Sequence, residues 1–185
     1  MLPETALRML RMLPDGMDFV LEAPCASWRE TASLRKRCPV PIIMDELAEL
    51  DADISRIVAE DIADGIGLKV SKAGGLTRGR RHRDICRAAG LTISVQDTVG
   101  SAIAFAGIVH LGATVPERFL RCILDCRDMV TLVTADFDAP VRDGGVLAPA
   151  HPALASPSGA TFWATPSPGG PPDPQTRRVA PGRPH

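Results

Sequence analysis

The sequence has few aromatic residues and no excess of charge of either sign. Its 185 residues include two Trp, five Phe and no Tyr, so the core must be built mainly from aliphatic side chains. Lys and Arg number 21 and Asp and Glu number 22, which gives a net charge of −1. Nucleic-acid-binding domains usually carry a basic excess, so this balance argues against a nucleic-acid partner. The basic cluster at residues 78–83 is therefore interpreted as the solvated face of a helix.

Long apolar runs and metal-binding cysteine pairs are also lacking. No apolar run approaches the roughly 18–20 residues of a membrane span, and the N-terminus shows no basic region followed by an apolar stretch. The cysteines contain no CxxC pair, which argues against structural zinc and against a disulfide framework. They are Cys25, Cys38, Cys86, Cys122 and Cys126. We predict reduced thiols, no membrane partner and a cytoplasmic location.

Proline divides the chain into two parts. Of the 17 prolines, 10 lie in residues 149–185. Proline fixes φ and removes a backbone donor, so helices and central strands are not expected in that stretch. The composition predicts one folded domain over residues 1–151 and a disordered Pro/Gly-rich tail over residues 152–185.

A strand-and-helix unit repeats through the folded part. Short apolar runs typical of strands buried in a parallel sheet lie at residues 18–21, 40–44, 65–68, 91–95 and 119–124. Amphipathic segments predict helices at residues 4–13, 28–37, 52–62, 77–89 and 100–112. Ser27 and Asp51 are the expected N-caps of the second and third helices. Leu7, Leu10, Met12 and Leu13 are expected on the buried side of the first.

A polar residue follows each strand at intervals of 23 to 28 residues: Glu22, Asp45, Lys69, Asp97 and Asp125. Successive right-handed strand–helix units place all carboxyl ends on one edge of the sheet. Ligands of β/α barrels and of open α/β sheets bind at that edge. A complete (β/α)8 barrel needs roughly 250 residues, so five units predict a partial barrel unless the sheet is open.

The chemistry of these residue types suits a metal-assisted proton transfer. Glu22 and Asp45, on adjacent strand ends, could share Mg²⁺, which prefers carboxylate oxygens. Lys69 could act as a base that removes a proton next to a substrate carboxylate, while a metal offsets the negative charge. Lys72, three residues later in a Gly-rich turn, is a rival base.

Several segments carry a resemblance to a known family. Residues 21–24 (LEAP), 41–46 (PIIMDE) and 67–76 (GLKVSKAGGL) resemble three successive strand-end motifs of the enolase superfamily, in its mandelate racemase/muconate lactonizing branch. Residues 96–101, 127–131 and 134–137 are similar to the cis-3-hydroxy-L-proline dehydratases of that branch. The resemblance extends from about residue 2 to residue 148.

The resemblance implies a fold and a set of roles. The fold would be α/β, a partial (β/α)8 TIM barrel of about five βα units corresponding to strands four to eight of the family. Glu22 and Asp45 would be the second and third Mg²⁺ ligands and Lys69 the base on the sixth strand. Further rim residues that would shape the substrate pocket are Glu46, Asp97 and Asp125. The partner would be a small-molecule carboxylate, and full-length relatives would form homo-oligomers.

The resemblance also has gaps, which leave alternatives open. The family's N-terminal capping domain, its first three strands with the first metal ligand, and the lysine pair of its second strand have no counterpart here. The first hypothesis is a Mg²⁺-dependent dehydratase of cis-3-hydroxy-L-proline or a related acid. The others are a catalytically inactive truncated fragment, a racemase or epimerase of the same superfamily, and an unrelated α/β binding module with an anion-binding loop at residues 72–75.

Overall fold

The computed structural model describes residues 1–97, 101–124 and 129, together with the backbone of short strands at residues 141–143, 146–148 and 160–161. Five parallel strands form one sheet in the order of the sequence. They are β1 (Leu21–Glu22), β2 (Ile42–Met44), β3 (Gly65–Lys69), β4 (Thr92–Gln96) and β5 (Leu120–Ile123). The predicted parallel α/β architecture of five successive units is confirmed.

One helix precedes the first strand, and the others connect consecutive strands. They are α1 (Pro3–Met12), α2 (Trp28–Arg35), α3 (Asp51–Glu60), α4 (Val70–Ala73), α5 (Leu76–Ala89) and α6 (Ala102–Gly112). Ser27 caps α2 as expected, since its hydroxyl accepts a hydrogen bond from the Glu30 backbone N–H. Gly90, with φ of +78°, ends α5 in the left-handed conformation that glycine adopts without strain. In the described part of the chain, every helix is too short or too polar to cross a membrane.

The sheet has two different faces. Strand register and side-chain alternation place one set of residues on the side that we call the inner face: Glu22, Ile43, Gly65, Gly67, Lys69, Thr92, Ser94 and Gln96. The intervening residues form the outer face: Leu21, Ile42, Met44, Ile66, Leu68, Ile93 and Val95. The outer face is buried under the helices, as Leu68 against Gly79 of α5 illustrates. The main hydrophobic core therefore lies between sheet and helices.

A partly exposed ion pair stabilises the amino ends of the strands. Arg35 at the end of α2 donates two hydrogen bonds to the carboxylate of Asp64, at 2.5 and 3.0 Å. The same carboxylate accepts the backbone N–H of Ile42 at 2.9 Å, where β2 begins. One side chain thus joins a helix, the start of β2 and the residue before β3.

Three expectations about helices are wrong in detail. Met12 is 83% exposed, because it lies about 140° around the helix axis from buried Leu7. Asp51 belongs to α3 rather than capping it; Leu50 is the N-cap residue, and Asp53 accepts its backbone N–H. Within the basic cluster, His82 and Arg83 are buried rather than solvated, since His82 bonds Asp51 and Arg83 bonds Thr114.

A second, antiparallel sheet follows, with strands β6 (Val141–Asp143), β7 (Val146–Ala148) and β8 (Ala160–Thr161) in that order. β8 lies within residues 152–185, so this part of the predicted tail has a paired edge strand. The free thiols that the structure describes are Cys25, Cys38, Cys86 and Cys122.

Candidate active site at the carboxyl ends of the strands

The carboxyl ends of the parallel strands, which we call the rim, bring together Asp45 and Lys69. Asp45 follows β2 directly, and Lys69 is the last residue of β3. The Lys69 ammonium donates a hydrogen bond to Oδ2 of Asp45, and the two side chains are only 14% and 10% exposed. The predicted neighbours on adjacent strand ends are therefore in direct contact.

Burial shapes the electrostatics of this pair. Loss of solvent raises the pKa of Asp45, and the hydrogen bond and charge of Lys69 oppose that rise. Glu46, the next residue, is mostly exposed, and its Oε1 lies 3.7 Å from the Lys69 amine. Its pKa is lowered by a hydrogen bond from its own backbone N–H and, to a smaller extent, by Lys69. Lys69 thus lies between one buried and one exposed carboxylate.

Glu22 is held by a different partner. Its Oε1 accepts a hydrogen bond of 2.8 Å from Nε2 of Gln96 at the end of β4. Gly67 lies between them on the inner face: a Cβ at that position would collide with the Gln96 amide and approach Oε1 of Glu22 to 3.1 Å. The absence of a side chain at Gly67 therefore leaves the space in which the two side chains meet.

Lys72, the rival base, forms a separate ion pair. Its Nζ lies 2.7 Å from Oε1 of Glu49, and this contact raises the pKa of Lys72. A raised pKa keeps the amine protonated, which makes it a poorer base. The same pairing occupies the lysine of the anion-binding loop that was considered for residues 72–75.

Two further residues were predicted at the rim, Asp97 and Asp125. Asp97 accepts a hydrogen bond from the hydroxyl of Ser71 in α4, which holds it beside the start of that short helix. Asp125 lies outside the described residues. Its role as a substrate contact therefore stays a prediction.

The donor chemistry of the rim fits a hard cation. Glu22 and Asp45 supply carboxylate oxygens from neighbouring parallel strands, and Mg²⁺ is commonly bound by one or two carboxylates while it keeps several waters. Among the described residues, no three His, Cys, Asp or Glu side chains converge on one point. In this structure Asp45 bonds Lys69 and Glu22 bonds Gln96, so the two carboxylates have separate partners at the rim.

A cavity of about 330 Å³ opens beside the rim. Asp45 and Glu46 line it together with less polar residues, among them Met1, Ala23, Cys25 and Met44. Small-molecule sites commonly have this size and a mostly apolar lining with a few polar groups. The cavity places room for a small ligand next to Asp45 and Glu46.

The model of one protein family matches residues 1–155, and its description is Enolase C-terminal domain-like. The chain belongs to this family. The matched range includes all five parallel strands of the main sheet together with Glu22, Asp45 and Lys69. The predicted enolase-superfamily membership is thereby confirmed.

Two curated relatives show how this enolase-superfamily chain relates to named enzymes. It is 36% identical over 130 residues to a cis-3-hydroxy-L-proline dehydratase of Roseibium aggregatum, covering 70% of this chain and 35% of that protein. It is 34% identical over 119 residues to an o-succinylbenzoate synthase of Thermobifida fusca, covering 64% of this chain and 37% of that protein. The chain thus spans little more than a third of the length of these relatives.

Solved structures agree with the fold. One from Aspergillus oryzae, described as a mandelate racemase/muconate lactonizing enzyme, is 67% identical with a TM-score of 0.71, covering 73% of this chain and 37% of that chain. Another, from Roseovarius nubinhibens and complexed with magnesium, is 55% identical with a TM-score of 0.75, covering 78% and 39%. The sheet and helices described above are therefore the C-terminal, TIM-barrel-like part of an enolase-superfamily fold.

Sequence reasoning assigned no role to Gln96 or Gly67. Both have the same strand parity as Lys69: Gly67 precedes it by two residues in β3, and Gln96 is its register partner in β4. Alternation along β3 could have placed Gly67 on the face of Lys69. The contact between Gln96 and Glu22 could not be foreseen, because it joins residues 74 positions apart.

Proposed function

We propose that this chain is the C-terminal catalytic part of a Mg²⁺-dependent enolase-superfamily lyase, with cis-3-hydroxy-L-proline or a related hydroxylated amino acid as substrate. Lys69 removes the proton next to the substrate carboxylate, and the β-hydroxyl leaves as water. The observation that carries the proposal is the Asp45–Lys69 pair at the carboxyl ends of β2 and β3, since β2 also pairs with β1, the strand that carries Glu22. The similarity to the Roseibium aggregatum dehydratase supports the substrate class.

The chain's own residues divide the work. Glu22 and Asp45 would hold Mg²⁺, which supplies positive charge beside the substrate carboxylate and so makes the neighbouring C–H more acidic. Lys69 is mostly shielded from water, and the contact with Asp45 keeps its amine at the rim. The cavity beside Asp45 and Glu46 has room for a proline-sized molecule. Asp97 and Asp125, as further rim residues, would contact the substrate.

Proton nuclear magnetic resonance in D₂O, with the purified chain, Mg²⁺ and cis-3-hydroxy-L-proline, tests the proposal. Exchange of the α-proton with solvent deuterium reports proton removal, and loss of the β-hydroxyl reports elimination. We expect both for the wild type, neither for Lys69→Met, and both for Lys72→Met. Retention of both activities in Lys69→Met would contradict the assignment of the base.

The same experiment separates the alternatives. A racemase or epimerase would exchange the α-proton with inversion at the α-carbon and without loss of the hydroxyl. A catalytically inactive fragment would give neither signal; this alternative has support from the described residues, among which no three metal-ligating side chains converge. A cytoplasmic location stays a prediction.

A further inference from the structure

The Glu22–Gln96 hydrogen bond crosses the inner face of the sheet. β1 and β4 are not neighbours, since β2 and β3 lie between them. Adjacent strands are about 4.8 Å apart, so a flat sheet would separate β1 from β4 by about 14 Å. Two long side chains and the curl of a barrel-like sheet close this gap to a 2.8 Å hydrogen bond. The bond therefore depends on the relative positions of all four strands from β1 to β4.

Gly67 is the reason that this bond fits. It lies on the inner face of β3, where its missing Cβ would overlap the Gln96 amide nitrogen. Gln96 itself is buried, with 7% exposure. A buried amide that fills the space above a glycine has little freedom to reorient, so it presents its N–H group to Glu22 in one direction.

We propose that Gln96 is a positioning residue that orients the Glu22 carboxylate toward a cation at the rim, with Gly67 as the space that permits it. The inference rests on the role of Glu22 as a metal ligand in the proposed function. A neutral amide suits this task because it fixes the carboxylate without neutralising its charge, which stays available to the cation. Hydrogen-bond partners of metal ligands typically change metal affinity by about 10- to 100-fold when they are removed.

The composition of the chain offers a direct spectroscopic test. The sequence contains two glutamines, Gln96 and Gln175, and no asparagine. A ¹H–¹⁵N spectrum of the full chain should therefore show two side-chain NH₂ pairs, and the pair that is lost in Gln96→Met belongs to Gln96. We expect this pair to exchange slowly with solvent and to shift in Glu22→Leu. A Gln96 pair that exchanges freely and does not respond to Glu22→Leu would overturn the proposal.

Calorimetric titration with MgCl₂ supplies the second measurement. We expect Gln96→Met to weaken Mg²⁺ binding about 10-fold or more. Ser94→Ala is the matched control, because it removes a polar group from the same face of β4 two residues earlier, and it should leave the affinity unchanged. Glu22→Gln is measured alongside, because it tests the ligand role itself.

The outcomes separate the two proposals. Weaker binding in Glu22→Gln together with wild-type affinity in Gln96→Met would overturn the positioning role and leave the proposed function standing. Wild-type affinity in Glu22→Gln would remove the ligand role of Glu22, and the positioning role would fall with it. Weaker binding in both variants, with Ser94→Ala unchanged, supports both proposals.

The change Gly67→Ala, made in two backgrounds, separates an effect on Mg²⁺ affinity from an effect on stability. Gly67→Ala should lower the melting temperature because its methyl group collides with Gln96. The same change in a Gln96→Ala background should cost less stability, since the colliding group is gone, yet Mg²⁺ affinity should stay low. Recovery of Mg²⁺ affinity together with stability in the double variant would contradict the positioning role of Gln96.

Discussion

The inner and outer faces of the five-stranded sheet are built from the same strands but differ in the side chains that they carry. Along β3, the side chains of Ile66 and Leu68 belong to the outer face and are buried. Gly67 and Lys69 belong to the inner face, and Lys69 lies at the rim. The outer face is continuous and apolar, and all its contacts with the helices are of one type, the packing of apolar side chains. The inner face carries particular polar pairs, Asp45 with Lys69 and Glu22 with Gln96. Stability and chemistry are thus separated by a single residue step along a strand.

The largest effect should come from Lys69→Met on the inner face. Loss of the base should lower the rate of α-proton exchange by about 10²- to 10⁴-fold. We expect a smaller effect on stability, because burial raises the pKa of Asp45 and so lowers the cost of leaving this side chain without Lys69. Exchange rates by nuclear magnetic resonance and melting by circular dichroism measure the two quantities on the same sample.

Ile66→Ala, three residues earlier on the outer face, should show the opposite pattern. Ile66 has no exposed surface, and truncating such a side chain typically costs about 2–5 kcal/mol. Urea unfolding should report this loss, while Mg²⁺ affinity in the folded protein should stay close to that of the wild type. If Ile66→Ala weakened Mg²⁺ binding more than it lowered stability, the separation of the two faces would be refuted.

A third prediction uses the thiol of Cys86, which lies in the apolar layer outside the sheet. Burial raises the pKa of Cys86 to about 12 from 9.0. The folded state disfavours the thiolate, so this group leaves the free energy of unfolding unchanged below pH 9. Between pH 9 and pH 12 the free energy of unfolding declines, because the Cys86 thiol ionises in the unfolded chain but not in the folded one. This group should remove about 2 kcal/mol of stability between pH 9 and pH 11.

Urea unfolding at a series of alkaline pH values measures that decline. Cys86→Ala should lose part of the pH dependence, although it will be somewhat less stable at neutral pH. Cys38→Ala is the control, because Cys38 is only half-buried. Equal pH dependence in the Cys86 and Cys38 variants would exclude burial of Cys86 as the cause.

A further effect of about this size concerns the amino ends of the strands. Asp64→Ala removes the acceptor of two Arg35 hydrogen bonds and of the Ile42 backbone N–H, so it should cost about 2 kcal/mol. Asp61→Asn is the matched control, because Asp61 is 89% exposed and its oxygen lies 3.7 Å from Arg35. The comparison of the two free energies of unfolding measures the Asp64 contribution. A loss of Mg²⁺ affinity in Asp64→Ala would show that this end also affects the rim.

Much of the architecture could be predicted because it depends on local patterns. Short aliphatic runs separated by amphipathic segments specify parallel strands and connecting helices, and the parallel sheet follows in sequence order. The predictions about the helices were wrong where the same local sequence is compatible with more than one helix start or buried face. Met12 is apolar but lies at the exposed end of α1, and Leu50 rather than Asp51 is the N-cap of α3.

The candidate site was predictable to the level of strand ends. Glu22, Asp45 and Lys69 each follow an apolar run, and parallel pairing brings neighbouring strand ends together. The contact of Asp45 with Lys69 agrees with that expectation. Which partner each side chain takes was not predictable, because several polar groups at the rim can make equivalent contacts. Lys72 turns to Glu49 and Asp97 to Ser71, although both lie close in sequence to the proposed catalytic residues.

The sequence by itself determined the strand–helix alternation, the burial of the strands and the order of polar residues along the rim, since each follows from the spacing of apolar and polar side chains. Only the tertiary structure decided that Gln96 reaches Glu22 across Gly67 and that Asp64 joins Arg35 to the start of β2. The physical reason is that such contacts depend on sheet curvature and strand register, which arise when segments distant in the chain pack together.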